Sequence, residues 1–278
     1  MRVLALRTVF RAVGAAAPEL AARWAETLFC TPPRHEARSG DEAFLATGRR
    51  SSIRWEEQDL ATWEWGPAAG PAVVLVHGWG SRAGRFSAMG RGLLEAGHRV
   101  VAYDAPAHGY STGRLASLVE FARALRAVAD GVGPVHSLVG HSLGGAAIVL
   151  ALRDGVAAER VVLLAAPADV TRFSTAFADH LRIPERARQA MRRNLEHRLE
   201  ARWDDLHLPA IVRRLRTPAL LVHDWGDPDV PYRHAQEIAA AWPGARLLAT
   251  DGLGHRAILR DPTVIRSTVA FLAGAPVR

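Results

Sequence analysis

Six short, predominantly apolar runs recur along the chain, at residues 72–76, 100–103, 135–139, 161–165, 219–222 and 246–249. A strand that stays apolar without alternating is one covered on both faces, as strands of a parallel sheet are. Stretches with apolar residues at helical spacing lie among them, at 86–96, 115–129, 143–152 and 232–242, and 263–272 closes the series. This alternation predicts an α/β fold: a mostly parallel central sheet with right-handed crossovers and helices on both faces. Residues 53–65 behave differently. Ile53 and Trp55, then Trp63 and Trp65, alternate with polar neighbours, the period of two expected of antiparallel strands at a sheet edge.

One segment breaks the alternation. Residues 169–215 hold no strand-like run, only helical pattern with apolar stripes at Phe173 and Phe177 and at Met191, Leu195 and Leu199. Two or three helices are expected there, inserted between the strand ending at Ala165 and the one starting at Ala219. Placed over the strand ends, they would form a short lid. Residues 1–50 read as an N-terminal helical extension and 51–278 as the α/β domain carrying that lid. Arg2, Arg7, Arg11 and Arg23 interrupt the apolar run that a signal peptide needs. An amphipathic helix or helix pair fits better, lying on the main domain or on a partner or membrane surface. A polar, turn-rich stretch follows Pro32-Pro33.

The most specific chemical signal is Gly140-His141-Ser142-Leu143-Gly144-Gly145, between an apolar strand and a helical run. It matches Gly-x-Ser-x-Gly in the strand-to-helix context that a nucleophile elbow requires. A turn this tight leaves no room for side chains at positions 140 and 144, and the helix that follows favours negative charge at its N-terminus. A serine hydroxyl is a poor nucleophile without a base in hydrogen-bond reach. Of 12 histidines, His255 is the best placed, in the glycine-rich loop Gly252-Leu253-Gly254-His255 after the last strand. His141 reads as packing or orienting the elbow, His77 as a structural hydrogen-bonder, and His223 as the end of a buried strand.

The base needs a carboxylate to fix its tautomer. Asp224, Asp227 and Asp229 crowd the loop after the strand at 219–222. Asp227 is preferred, Asp224 being placed to brace the turn and Asp229 to stand exposed. The order Ser142, Asp227, His255 is the one expected of this architecture, each residue past the carboxyl end of a strand, where open α/β sheets place their sites. For the developing oxyanion, the backbone N–H groups of Leu143 and Trp79 are the expected donors. Trp79, Phe173 and Phe177 are expected to line the substrate pocket.

From about Trp63 onward the chain resembles the α/β-hydrolase superfamily. The resemblance is carried by His77-Gly78-Trp79-Gly80, Asp104-Ala105-Pro106-Ala107-His108-Gly109-Tyr110-Ser111, Gly140 to Gly145, the Asp227 loop ending Val230-Pro231, and Gly254-His255. It implies that the acid stands four residues before Pro231, which selects Asp227, and that Asp104 and His108 to Ser111 shape a loop beside the elbow. The insertion corresponds in position to the superfamily's cap. A serine at the elbow argues against haloalkane dehalogenase and epoxide hydrolase, which place an aspartate there. Hydrolysis of carboxylic esters is the leading expectation, with short to medium acyl groups because the insertion is short for a deep acyl tunnel. Thioesterase, lactonase, carbon–carbon hydrolase, serine aminopeptidase and acyltransferase chemistry use the same constellation. A non-catalytic ligand-binding module is the alternative of a different class.

Bulk properties exclude other partners. The chain contains no lysine, so its 35 basic residues are all arginine and its formal net charge is +7. The arginines are scattered, with no aromatic-interleaved stripe, so no nucleic acid is expected; steering of anionic substrates is a weak consequence of the charge. His77-Gly78-Trp79-Gly80 lacks the glycine spacing and lysine of a Walker-type phosphate loop. No run of ~18 apolar residues is present, so no transmembrane span is expected. A single cysteine, Cys30, makes no internal disulfide, and a cytoplasmic location follows as the default. The expected partner is a small-molecule ester, with no metal or organic cofactor.

Overall fold

The computed structural model describes residues 2–33 and 38–275. Part of the polar stretch expected after Pro33, residues 34–37, lies outside the described residues. The six apolar runs, with the alternating segment before them, supply the strands of one eight-stranded sheet. They are β1 (Arg49–Trp55), β2 (Gln58–Trp65), β3 (Ala72–Val76), β4 (Arg99–Tyr103), β5 (Ser137–His141), β6 (Arg160–Leu164), β7 (Ala219–Asp224) and β8 (Arg246–Thr250). Their spatial order is β1-β2-β4-β3-β5-β6-β7-β8. β1 and β2 form the expected antiparallel pair, β2 runs antiparallel to β4, and every later pairing is parallel.

The helices are α1 (Arg2–Ala16), α2 (Pro18–Cys30), α3 (Ser39–Ala46), α4 (Ser87–Glu95), α5 (Leu118–Val132), α6 (Leu143–Arg153), α7 (Thr171–His180), α8 (Glu185–Leu199), α9 (Leu208–Val212), α10 (Arg233–Ala241), α11 (Gly254–Ala257) and α12 (Pro262–Leu272). Successive strand residues point to opposite faces, and the core divides accordingly. Val73, Leu75, Val139 and Val222 pack with α3, α4 and α12, whereas Val74, Val76, Leu138 and Leu221 pack with α5, α6 and α10. β8 departs from the expectation of a strand covered on both faces. It is the sheet edge, with Leu247 and Leu248 half-buried and Arg246 and Ala249 exposed, because among the described residues only β7 pairs with it.

Between β6 and β7 the chain rises into α7 and α8 and returns through a 3-10 turn at Trp203–Leu206. The excursion is pinched at its base, where Asp169 bridges His207 and the Leu208 N–H donates to Ala168 O at 2.9 Å. The return helix α9 belongs to the body, packed on α6 and α10. The N-terminal helices do form a pair, with Phe10 stacked on Trp24 at 4.5 Å. They lie along the insertion, α2 packing on α8 and on α7, and the end of α2 also reaches the body, where Cys30 O accepts from the Ala116 N–H at 2.8 Å. Arg198 of α8 fastens the three layers. Its guanidinium reaches Glu26 of α2 at 2.8 Å and Glu120 of α5 at 2.9 Å.

Candidate active site

β5 passes into α6 through a single residue, Ser142, held at φ 53° and ψ −122°. A left-handed conformation in a residue with a side chain costs about 1–3 kcal/mol and persists only where packing over-determines it. Here a Cβ on Gly144 would meet the carbonyl oxygens of Val76 and His77, so β3 closes over the turn from one side. From the other side the Ser142 N–H donates to Leu164 O of β6 at 2.8 Å, while the Gly145 N–H returns to Ser142 O at 2.9 Å. The elbow is wedged between two strands, and α6 presents its N-terminus to the serine.

The loop after β3 lies against this elbow. A Cβ on Gly78 would stand 2.9 Å from Ser142 Cβ, so a glycine is what lets the two segments approach. Two buried imidazoles hold the loop. His77 donates from Nδ1 to Gly78 O at 2.7 Å and accepts at Nε2 from the Ala105 N–H at 2.9 Å. His108 donates from Nδ1 to Pro106 O at 2.8 Å and accepts at Nε2 from the Gly80 N–H at 2.9 Å. Both must be neutral to do this, and burial favours it, bringing His108 down to about 4 and His77 well below its ordinary value. Asp104 accepts from the Ala83 and Tyr110 N–H groups, each at 2.7 Å. With these donors committed, the N–H groups of Trp79 and Leu143 carry no hydrogen bond among the described residues.

Beyond β7, the three aspartates separate by role. Asp224 braces the turn, accepting from the Gly226 N–H at 3.0 Å and from Thr250 Oγ1 and the Leu253 N–H at 2.9 Å. Asp229 is exposed, as expected, and pairs with Arg256 at 3.0 Å. Asp227 Oδ1 accepts from the Asp229 and Val230 N–H groups at 2.8 Å, and its Oδ2 accepts from His255 Nδ1 at 2.8 Å. His223 donates to Val230 O at 2.7 Å and stands 3.4 Å from the same Oδ2. Burial alone would raise the Asp227 carboxyl, but these donors outweigh it and hold it well below the usual carboxylate range. An imidazole that donates from Nδ1 carries its lone pair on Nε2, the atom a general base uses.

His141 ties the base to the elbow. Its Nε2 donates to the carbonyl of His255 at 2.7 Å, and the two rings lie 4.7 Å apart. Burial, helped by the neighbouring His255, drives His141 down to about 3, so it stays neutral. This bond joins residues 114 positions apart; no spacing in the chain signals it.

A cavity of about 1150 Å³ opens over the strand ends, lined by Ser142, Leu143, His255, Trp79, Phe173 and Phe177. Every residue expected in the site borders it except Asp227, which stands behind His255. Leu28 and Phe29 of α2 border it too, with Phe29 5.3 Å from Phe177. The expectation of short to medium acyl groups counted the insertion alone, whereas the N-terminal helices supply a further wall. Among the described residues no group of three or more His, Cys, Asp or Glu side chains is gathered to hold a metal ion. None of their helices is long and apolar enough to cross a membrane.

Fold and site together define an α/β protein with a serine elbow and a carboxylate-bound histidine at the carboxyl end of a parallel sheet. The profile of the alpha/beta hydrolase family matches residues 73–267, and the chain belongs to that family. It is similar to a Variovorax paradoxus (strain S110) protein named "Putative carbamate hydrolase RutD", 39% identical over 104 residues, 36% of this chain and 39% of the relative. A non-heme chloroperoxidase of Streptomyces lividans is 32% identical over 120 residues, 40% of this chain and 43% of the relative. The chain thus spans about two-fifths of the length of these relatives. Among solved structures, an esterase from Rhodococcus sp. ECU1013 superposes with a TM-score of 0.62 at 19% identity, covering 82% of this chain and 99% of that one. That likeness is one of fold.

Proposed function

We propose that the chain is a serine hydrolase that cleaves carboxylic esters of short to medium acyl groups through a covalent acyl-enzyme. The observation that carries this reading is the 2.8 Å bond from His255 Nδ1 to a carboxylate held ionised, on the rim of the cavity that the strained Ser142 also lines. His255 Nε2 takes the proton of Ser142 as its Oγ bonds to the acyl carbon, and the carbonyl oxygen becomes an oxyanion. The N–H groups of Leu143 and Trp79, unbonded among the described residues, are the donors for that oxyanion. As the tetrahedral species collapses, the carbon–oxygen bond to the alcohol breaks and the alcohol leaves with the proton from His255. Water then gives a proton to His255 and bonds to the acyl carbon, releasing the acid and returning the proton to Ser142.

Asp227 orients the imidazole and offsets the charge that it gains, with no proton transfer to itself. His141 and His223 hold the two loops in register. The relative named a putative carbamate hydrolase supports transfer of an acyl carbon to water. The test is a panel of p-nitrophenyl esters of rising acyl length together with a fluorophosphonate probe. Hydrolysis of short and medium esters and labelling of the wild type, both lost in Ser142→Ala, is the expected result. A folded protein that neither hydrolyses the esters nor takes the probe is a binding module instead.

A further inference from the structure

The cavity has two unlike ends. Under the insertion and α2 it is bordered by Leu28, Phe29, Phe173, Phe177 and Leu199. Around α3, α4 and the segment after His255 it is bordered by Arg38, Arg85, Arg91, Arg256 and Arg260, against Asp41 and Asp229. The two aspartates answer two of these charges, in Arg85–Asp41 at 3.1 Å and Arg256–Asp229 at 3.0 Å. Arg91 lies over the Phe44 ring at 5.3 Å, and Arg260 makes no ion pair among the described residues. The cations also feel one another. Burial, and the neighbouring charges of Arg38, Arg82 and Arg256, draw the Arg85 guanidinium down from its ordinary value despite Asp41. Like charges gathered in one recess repel unless an anion joins them.

The chemistry of the site says which end receives which half of a substrate. The leaving oxygen takes its proton from His255, so the leaving group must lie against that histidine. Arg256 is the next residue, and Arg260 follows four positions later, in the turn that ends α11. The acyl group is left the apolar end. Building on the serine hydrolase reading, we infer that the substrate is an acyl ester whose alcohol half bears an oxyanion, a carboxylate or a phosphate. Arg256 and Arg260 receive that oxyanion, with Arg85 behind them, while the acyl chain runs beneath the insertion. Uniformly scattered arginines hide this in the sequence, because residues 85 and 256 come to border one cavity through the fold alone.

The test compares octanoate esters of o-nitrophenol with and without a ring carboxylate, each rate divided by its spontaneous hydrolysis. The wild type should favour the anionic ester in kcat/KM by about tenfold, the sum of two or three partly exposed ionic contacts, and less as salt is raised. In Arg256→Gln/Arg260→Gln the preference should fall to about one. Both side chains are exposed, so the fold should survive; Arg54→Gln on the far sheet edge should keep the preference. Equal rates on the two esters in the wild type, or a preference that persists in the double variant, would overturn the anion site while leaving the esterase reading intact. If neither ester is turned over, binding of both to Ser142→Ala by calorimetry decides. Tighter binding of the anionic ester that disappears with the two arginines upholds the anion site and sinks only the esterase, whereas equal binding sinks the anion site as well.

Discussion

Replacing Asp227 by Asn puts the account under its sharpest strain, because the carboxylate has two jobs on two oxygens. Oδ1 accepts two loop N–H groups at 2.8 Å and Oδ2 accepts the His255 proton at 2.8 Å. An amide can serve only one side with its oxygen. Keeping the oxygen toward Asp229 and Val230 turns the NH₂ toward His255, which must then accept at Nδ1 and carry its proton on Nε2. The imidazole faces Ser142 as a donor and cannot take its proton. Flipping the amide restores the tautomer but sets NH₂ against two N–H donors. That breaks two hydrogen bonds at about 1–3 kcal/mol each, so only about one molecule in a thousand adopts it if the cost is ~4 kcal/mol. Loss of the carboxylate charge removes more. The expected fall in kcat is about 10³–10⁴-fold, or ~4–5.5 kcal/mol. Steady-state hydrolysis of p-nitrophenyl butyrate, with circular dichroism to check folding, measures it. A folded Asp227→Asn protein within tenfold of wild type would refute the reasoning.

Gly78→Ala should lower kcat by about 10²-fold with a smaller effect on KM, since its Cβ would stand 2.9 Å from Ser142 Cβ and displace the loop that carries the Trp79 donor; initial-rate kinetics report it. Arg198→Met leaves Glu26 and Glu120 without their shared partner at the join of α2, α5 and α8. Unfolding free energy should drop by up to ~3 kcal/mol, discounted for the partial exposure of the pair, and limited proteolysis should cut first in the insertion or the N-terminal helices. Folding stability should fall as pH drops from about 6.5 toward 4, as read by urea titration. Burial holds His108 at about 4 and His141 at about 3, so below 6.5 the unfolded chain takes up protons that the folded one refuses. Asp104, lifted to about 6 by burial, works in the opposite sense over the same range and offsets part of the loss. A flat profile from pH 6.5 to 4 would count against neutral, bracing histidines.

What could be read in advance follows from where the information sits. Parallel strands advertise themselves because burial on both faces removes every polar residue, as at Val73 to Val76; the elbow does so because Gly140 and Gly144 have nowhere to put a side chain. The half-covered β8 was harder, since Leu247 and Leu248 look alike whether one neighbour or two covers them. The eight-residue α3 is too short for periodicity, although Phe44 and Leu45 bury themselves from it. Amphipathic stripes on α1 and α2 announce that a partner exists but not which, so nothing local foretold that Phe29 would meet Phe177. Nor could pattern show that His141 anchors the carbonyl of His255.

The most direct measurement is a crystal structure of the protein after reaction with a fluorophosphonate. The account predicts phosphorus bonded to Ser142 Oγ, one phosphonyl oxygen within about 3.1 Å of both the Leu143 and Trp79 N–H groups, and His255 Nε2 against the serine oxygen with Asp227 still on Nδ1. Phosphorus on another residue, or an oxygen facing neither amide, would contradict it.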